Sequence, residues 1–343
     1  MEQAIDAVIA WVDGNDPAHR AKRQRYSAQP EVSLEDIGGE TRFVSTGEIY
    51  FCVASIARFA PFVRKIFIVT DQQDPRAGEF LQRNFPGTSI GVEVVDHKVL
   101  FRDYERYLPT FNSLSIETVL WRIPGLSERF VYFNDDFFLM DALRPEDWFA
   151  SDGSLVCHGD WFNTVFARFL RAVKPARNGH KPFGFKDALL NAADLLHQRR
   201  FFNIGHAPRP QLKSLLQTYF TQNPDVMERN MACRFRDADQ FNTQELCALL
   251  AYRQGCCQRR SLKGRTLFLK PSAAKADYLR RHIQKVSGNS MIRFGCINSL
   301  EKADAEDRQA FETWICHLLG ICPDFSKWLA SLSCACSRHE SNE

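Results

Sequence analysis

RFVYFNDDFFLM, residues 129–140, is an apolar and aromatic run broken by two adjacent carboxylates, Asp135 and Asp136. The segment Arg129–Asn134 reads as a buried strand, and the two aspartates end it. Three earlier segments have the same form. IDAVIAWVDG (Ile5–Gly14) is an apolar run closed by an Asp-Gly turn, KIFIVTD (Lys65–Asp71) ends in a carboxylate, and GVEVVDH (Gly91–His97) ends in Asp-His.

Between these runs the spacing turns helical. Ile49, Cys52, Val53, Ile56 and Phe59 predict a helix over Thr46–Phe59, with Ser45 or Thr46 as N-cap. A second helix opens around Ser113 and stops before Pro124. Strands alternating with helices predict an α/β fold with a mainly parallel sheet and helices on both faces. Ligands bind such sheets outside the carboxyl ends of the strands. Asp13, Asp71, Asp96 with His97, and Asp135 with Asp136 all stand at those ends, so together they predict a site.

The second half reads differently. Helical spacing covers Phe185–Phe201, Gln211–Phe220 and Thr243–Gln254, and Glu301–Leu319 is amphipathic. RTLFLK (Arg265–Lys270) and MIRFGCIN (Met291–Asn298) read as short strands returning to the sheet. The basic, Pro- and Gly-rich stretch Phe166–Asp187 reads as a loop or cover. Residues 1–330 are expected to form a single catalytic domain: an α/β half to 150, a mostly helical region over 151–265, and a return to the core over 266–330. The tail 331–343 reads as disordered.

Composition excludes several classes. The chain has 343 residues, 45% of them hydrophobic, enough for a large core. A net charge of +3 without a basic run interleaved with aromatics argues against nucleic acid. No apolar run approaches the ~20 residues of a membrane span. The start MEQAIDAVIAWVDG lacks the basic region and cleavage site of a signal peptide. Eleven scattered cysteines without zinc-ligand spacing then read as reduced thiols, and the expected location is the cytoplasm.

Four other clusters carry possible chemistry, and each has a plain structural alternative. Asp135 and Asp136 supply hard oxygens for Mg²⁺ or Mn²⁺ shared with substrate phosphates, or simply cap a turn. His206, in NIGHAPRPQLKS (Asn203–Ser214), suits a general base held by rigid prolines, or a loop hydrogen bond. Arg234 and Arg236 suit phosphate, or surface pairs with Asp237 and Asp239. Asn112 and Ser113 open a helix and suit an anion or a cap. Asn298 and Ser299 end a strand, or form a plain turn.

In combination these segments resemble the Stealth family of sugar-1-phosphate transferases. The resemblance runs through IDAVIAWVDGNDP, then from RFVSTGEIYFCVASIARFAPFVRKIFIVTDQQDP to LPTFNSLSIETVLWRIPGLSERFVYFNDDFFL, then GHAPRPQLK with RFRDADQFN, then FGCINS. It implies a Rossmann-like, glycosyltransferase-type fold and a nucleotide-sugar donor such as UDP-GlcNAc. It also implies a glycan acceptor, a Mg²⁺ or Mn²⁺ ion, and release of UMP in the making of capsular polysaccharide or exopolysaccharide. Asp135 matches the family's essential aspartate and Asp136 its neighbour. His206 matches the histidine of the HAP motif, and Arg236 an arginine preceding a polar helix start, with Arg234 two residues earlier. Asp13 matches the polar end of the first strand, and Asn112 the polar residue of LPTF-polar-Ser. Two departures stand out: Ser299 where relatives carry Asp, and Thr46 where they carry Asp or Asn. A capsule enzyme of this kind also suits peripheral contact with a membrane-bound assembly. The basic stretch Arg168–Lys186 is open to that reading, to an anionic acceptor, or to plain solvation.

Overall fold

Apolar runs that do not alternate need cover on both faces, and the chain supplies it. β1 (Ile5–Ala10), β2 (Val63–Thr70), β3 (Gly91–Asp96) and β4 (Arg129–Asn134) lie parallel in the order β3-β2-β1-β4. The structure, a computed structural model, describes residues 4–27, 46–173, 183–322 and residue 328. Four carboxyl ends therefore meet at one edge, as the alternating pattern predicts.

The opposite edge is tied by one buried charge. Asp6, fully buried in β1, accepts two bonds from Arg64 at 2.8 and 2.6 Å and one from the Ser127 amide at 2.7 Å. That carboxylate joins the starts of β1 and β2 to the loop leading into β4.

The chain does not stop at the aspartates. After a turn at Asp135–Asp136, β5 (Phe137–Leu139) continues into a second sheet. There follow β6 (Leu155–His158), β7 (Asp160–Asn163), β8 (Arg200–Asn203), β9 (Arg209–Leu212), β10 (Cys257–Arg260), β11 (Thr266–Leu269) and β12 (Phe294–Ile297). β9 adds antiparallel to β4 and closes the main sheet, and its Pro210 is tolerated there because an edge strand need not donate on both sides. β5, β12 and β11 form a separate three-stranded sheet, so the two late strands do not rejoin the main sheet as expected.

Several boundaries move for local reasons. The helix expected over Phe185–Phe201 ends at Leu195, where His197 adopts φ 51° and the chain turns into β8. The helix expected from Gln211 begins at Lys213, because Gln211 and Leu212 belong to β9. The helix expected from Thr46 begins at Glu48 behind Gly47 at φ 99°. Thr46 instead donates its amide and hydroxyl to the Glu48 carboxylate at 2.7 and 2.6 Å, and Ser45 lies outside the described residues. The last helix begins at Ala305, capped by Asp304, after a short 3₁₀ turn at Leu300–Lys302. The expected loop after Phe166 contains a helix, Thr164–Val173. The tail beyond 330 lies outside the described residues. The nine cysteines among the described residues are free thiols, five of them buried.

The pairing of β5 with β12 fixes the site, and one glycine permits it. Gly295 faces Phe138, whose ring would lie 2.2 Å from a Cβ at that position. Phe138 is itself locked against Phe311 and Trp314. Gly295→Ala is therefore expected to cost about 1–3 kcal/mol, read as a lower denaturation midpoint.

Candidate active site

Asp135 and Asp136 occupy the two-residue turn between β4 and β5, where the backbone leaves one sheet for the other. Phe130–Phe133 before them and Phe137–Leu139 after them are buried, so the turn is clamped on both sides. Burial pushes the Asp135 carboxyl well above the usual carboxylate range, and the neighbouring Asp136 and Glu48 push it further. Asp136 is also raised by burial, against hydrogen bonds from Cys296 and Asn298 that favour its ionised form. Cys296 Sγ lies 3.4 Å from Asp136 Oδ2, and the Ile297 amide donates to the Asp136 carbonyl at 3.0 Å. Asp136 Oδ1 is buried with no protein hydrogen-bond partner.

A buried carboxylate oxygen with nothing to accept from, beside a second carboxylate, fits a divalent cation. Among the described residues no three His, Cys, Asp or Glu side chains converge as a metal cage. A cation on this pair would therefore complete its shell from substrate oxygens and water, as Mg²⁺ commonly does. Ser299, where the family resemblance leads one to expect aspartate, sits at φ 64° and donates its hydroxyl to Asn298 Oδ1 at 3.1 Å. It thus steadies the amide that touches Asp136 but adds no charge.

His206 stands across from the pair. Its ring stacks on Phe268 at 4.2 Å and 15°, and meets the edge of Phe137, the residue after Asp136, at 6.4 Å. The loop reaches this position because Gly205 takes φ 50° and β9 then locks onto β4. Part of the residue stays exposed to solvent. Packing that strips water from the rest pushes the imidazole down to about 4, with Arg209 and Lys270 adding to the effect. It is neutral at physiological pH and can accept a proton.

Sequence reading missed Arg209. It pairs with Tyr132 across β9 and β4, is buried, and packs on Phe137 at 5.8 Å and Phe185 at 4.9 Å. Its Nη2 donates to the Gly205 carbonyl at 3.3 Å, and its Nε has no protein partner. Burial lowers its pKa, while Glu117, Tyr132 and Asp136 hold it charged. The available signal was a cation set between two prolines in APRPQL.

Arg236 reaches the same region from the loop 232–242. It donates to Ser113 Oγ at 3.1 Å, and Glu117 opposes the burial that lowers its pKa. Glu117 is thus a shared buried counter-charge for Arg209 and Arg236, held by Tyr132 Oη at 3.2 Å and Asn242 Nδ2 at 3.3 Å. Glu117→Gln keeps these bonds feasible but leaves two buried guanidinium groups without it. A loss of about 3 kcal/mol in chemical denaturation is expected. Glu117→Asp should recover part of it.

Three other candidates are placed differently. Asn112 is buried, and its amide donates to the Cys233 and Phe235 carbonyls and Gln240 Oε1 at 3.0, 2.8 and 2.7 Å while its Oδ1 caps the next helix. It latches two loops and has no polar atom left for substrate. Arg234 donates to the Pro109 and Leu108 carbonyls at 2.9 and 3.3 Å and lies over Tyr26 at 4.5 Å. It braces the same latch. Asp13 ends the first strand region and is joined to Gln73 through its amide, at 2.8 Å, and its carbonyl, at 3.0 Å. Beside it along the edge, Asp71 pairs with Lys22 at 2.8 Å. His97, buried with neither ring nitrogen bonded to protein, is pushed down to about 4 by that burial.

Carboxylates that stay adjacent only at an electrostatic cost, guanidinium groups kept charged in a buried setting and a neutral imidazole equip a transferase for phosphate esters. Comparison with known proteins narrows the class. Residues 3–30 match conserved region 1 of the Stealth proteins and residues 42–156 match conserved region 2. The receptor polysaccharide phosphotransferase WefC of Streptococcus oralis is 31% identical over 69% of this chain and 75% of its own length. The capsular polysaccharide phosphotransferase LcbA of Neisseria meningitidis is 29% identical over 94% of this chain and 83% of its own. The exopolysaccharide phosphotransferase SCO6021 of Streptomyces coelicolor is 35% identical over 68% of this chain and 40% of its own. The chain belongs to the Stealth family.

Proposed function

We propose that this chain is a polysaccharide phosphotransferase that moves a hexose or N-acetylhexosamine together with its 1-phosphate from a UDP-sugar to a glycan hydroxyl. The observation that carries the reading is the Asp135–Asp136 turn, faced by Asn298, Arg209 and His206 at the carboxyl edge of the sheet. Relatives named as capsular and exopolysaccharide phosphotransferases support it.

Asp135 and Asp136 would hold Mg²⁺ or Mn²⁺, which when bound neutralises the charge of the donor diphosphate. Arg209 and Arg236 take up charge that develops on the phosphoryl oxygens, and Glu117 keeps both guanidinium groups in place. His206 accepts the proton of the acceptor hydroxyl as that oxygen bonds to the sugar-bearing phosphorus. The bond from this phosphorus to the bridging oxygen breaks, and UMP leaves with the electron pair. Positioning and charge do the work, as in phosphoryl transfer generally. A cavity of about 490 Å³ lined by Phe162, Leu170, Phe185, Asn203 and His206 gives the acceptor an approach.

The test is the identity of the released nucleotide. The protein is incubated with UDP-GlcNAc, Mg²⁺ and a phosphodiester-linked glycan primer. UMP with a new phosphodiester signal by phosphorus NMR is expected. UDP would instead mean attack at the sugar carbon, an ordinary glycosyl transfer.

A further inference from the structure

The helix Thr164–Val173 shows an apolar face to solvent. Val165, Phe166, Phe169, Leu170 and Val173 are 66, 52, 59, 44 and 60% exposed, and Thr164 is its one buried residue. Their spacing of one, four, five and eight from the first places all five on one stripe. Scattered apolar residues on a surface need no explanation, but a continuous stripe of two phenylalanines and three aliphatic side chains does.

Charge indicates what covers it. Among the described residues from Thr164 to Leu195, Arg168, Arg171 and Lys186 stand against Asp187 and Asp194, and the intervening sequence adds Lys174, Arg177 and Lys181 with no acid. Arg168 and Arg171 flank the stripe on the same helix, held by Asp194 and Asp187, and Lys186 lies over Phe162 at 5.4 Å. A sugar polymer can stack on a phenylalanine ring but gains little from three aliphatic side chains beside it. A second copy would bring the same positive excess against itself. A ten-residue helix, about 15 Å long, also offers far less than the ~800 Å² per partner of a stable interface. Apolar residues on one side and basic residues beside them are the arrangement of a helix lying in a lipid headgroup region.

We propose that the Thr164–Val173 helix docks this protein on an anionic lipid bilayer surface. No helix among the described residues is long and apolar enough to cross a membrane, so the contact is a surface one. Leu170 and Arg171 also line the cavity that reaches His206, so the docked face and the acceptor approach adjoin. That last link rests on the transfer reading. The lipid contact does not, and it is measured without turnover.

The test is flotation of the full chain with vesicles of phosphatidylcholine containing 30% phosphatidylglycerol, against phosphatidylcholine alone. At least about tenfold more protein is expected with the anionic vesicles, and a marked loss in 0.5 M NaCl. The double variant Phe166→Asp, Phe169→Asp changes two exposed residues and should stay folded by circular dichroism while losing flotation. Its release of UMP with a water-soluble primer should match the parent. Equal flotation of the double variant, or none by the parent, overturns the proposal. So does a parent that sediments as a dimer and a variant that sediments as a monomer, since the stripe would then bind a second copy.

Discussion

Asp135→Asn is expected to lower transfer by about three orders of magnitude and, in the absence of metal, to raise the melting temperature. The first effect follows from losing one of the two proposed cation ligands, since a metal held there would contribute several kcal/mol of charge stabilisation and each 1.36 kcal/mol is tenfold. The second follows from the same carboxylates. Burial, Asp136 and Glu48 raise the Asp135 pKa above its unfolded value. Below the ordinary carboxylate range both states are protonated and the site costs nothing. As pH rises, the unfolded chain ionises first and the folded chain is disfavoured, fully so once the folded pKa is passed. Metal-free protein should therefore melt lower at pH 8 than at pH 5, and Mg²⁺ should raise the melting temperature more at pH 8. Asparagine removes the repulsion and the share of the pH dependence owed to Asp135, while the raised carboxyls of Asp136 and Glu48 keep theirs. Full turnover in Asp135→Asn, or a melting temperature that falls in EDTA at pH 8, would remove Asp135 from the role assigned to it.

The parallel frame was legible because parallel strands covered on both faces are written as unbroken apolar runs, and each of the four ended in a polar residue at the same edge. The aspartate pair was legible for the same reason. What lay beyond it was not. The strand reads as ending at the aspartates, yet the turn sends Phe137–Leu139 into another sheet, and only the pairing with Phe294–Ile297 reveals this. Short strands such as Arg200–Asn203 and Arg209–Leu212 carry four residues each, too few for a period to show, and their partners are distant in sequence. Arg209 was hidden with its strand. Asn112 looked like a ligand because a polar residue at a helix start suits either a substrate or a latch, and Arg234 because a guanidinium suits phosphate as well as it suits carbonyls. Sequence does not show that the Asn112 amide is already committed to the 233–240 loop. The apolar stripe on Thr164–Val173 was masked by its basic neighbours and by the prolines and glycines that follow.

His206→Ala is expected to reduce kcat/KM by about 10²- to 10⁴-fold, the range of a lost general base, with the melting temperature little changed because the residue is partly exposed. The more searching test leaves the imidazole in place. Burial is the main reason the imidazole sits at about 4 rather than near 6.5, and the Phe268 ring stacked on it is one of the groups that keep water away. A depressed pKa keeps the base neutral, and so competent, as pH falls, until it is protonated near 4. The acid limb owed to His206 should then lie near pH 4. Phe268→Ala exposes the ring while Arg209 and Lys270 remain, so the imidazole pKa moves back toward 6.5 and the acid limb moves up with it. Phe268 is 40% exposed, so its loss should not unfold the chain. The aspartates titrate as well, from values raised by burial and by each other, but no charge near them changes in Phe268→Ala. An acid limb that shifts upward therefore belongs to the imidazole. A limb that stays fixed while His206→Ala still loses activity would mean that His206 orients the acceptor and another group takes its proton.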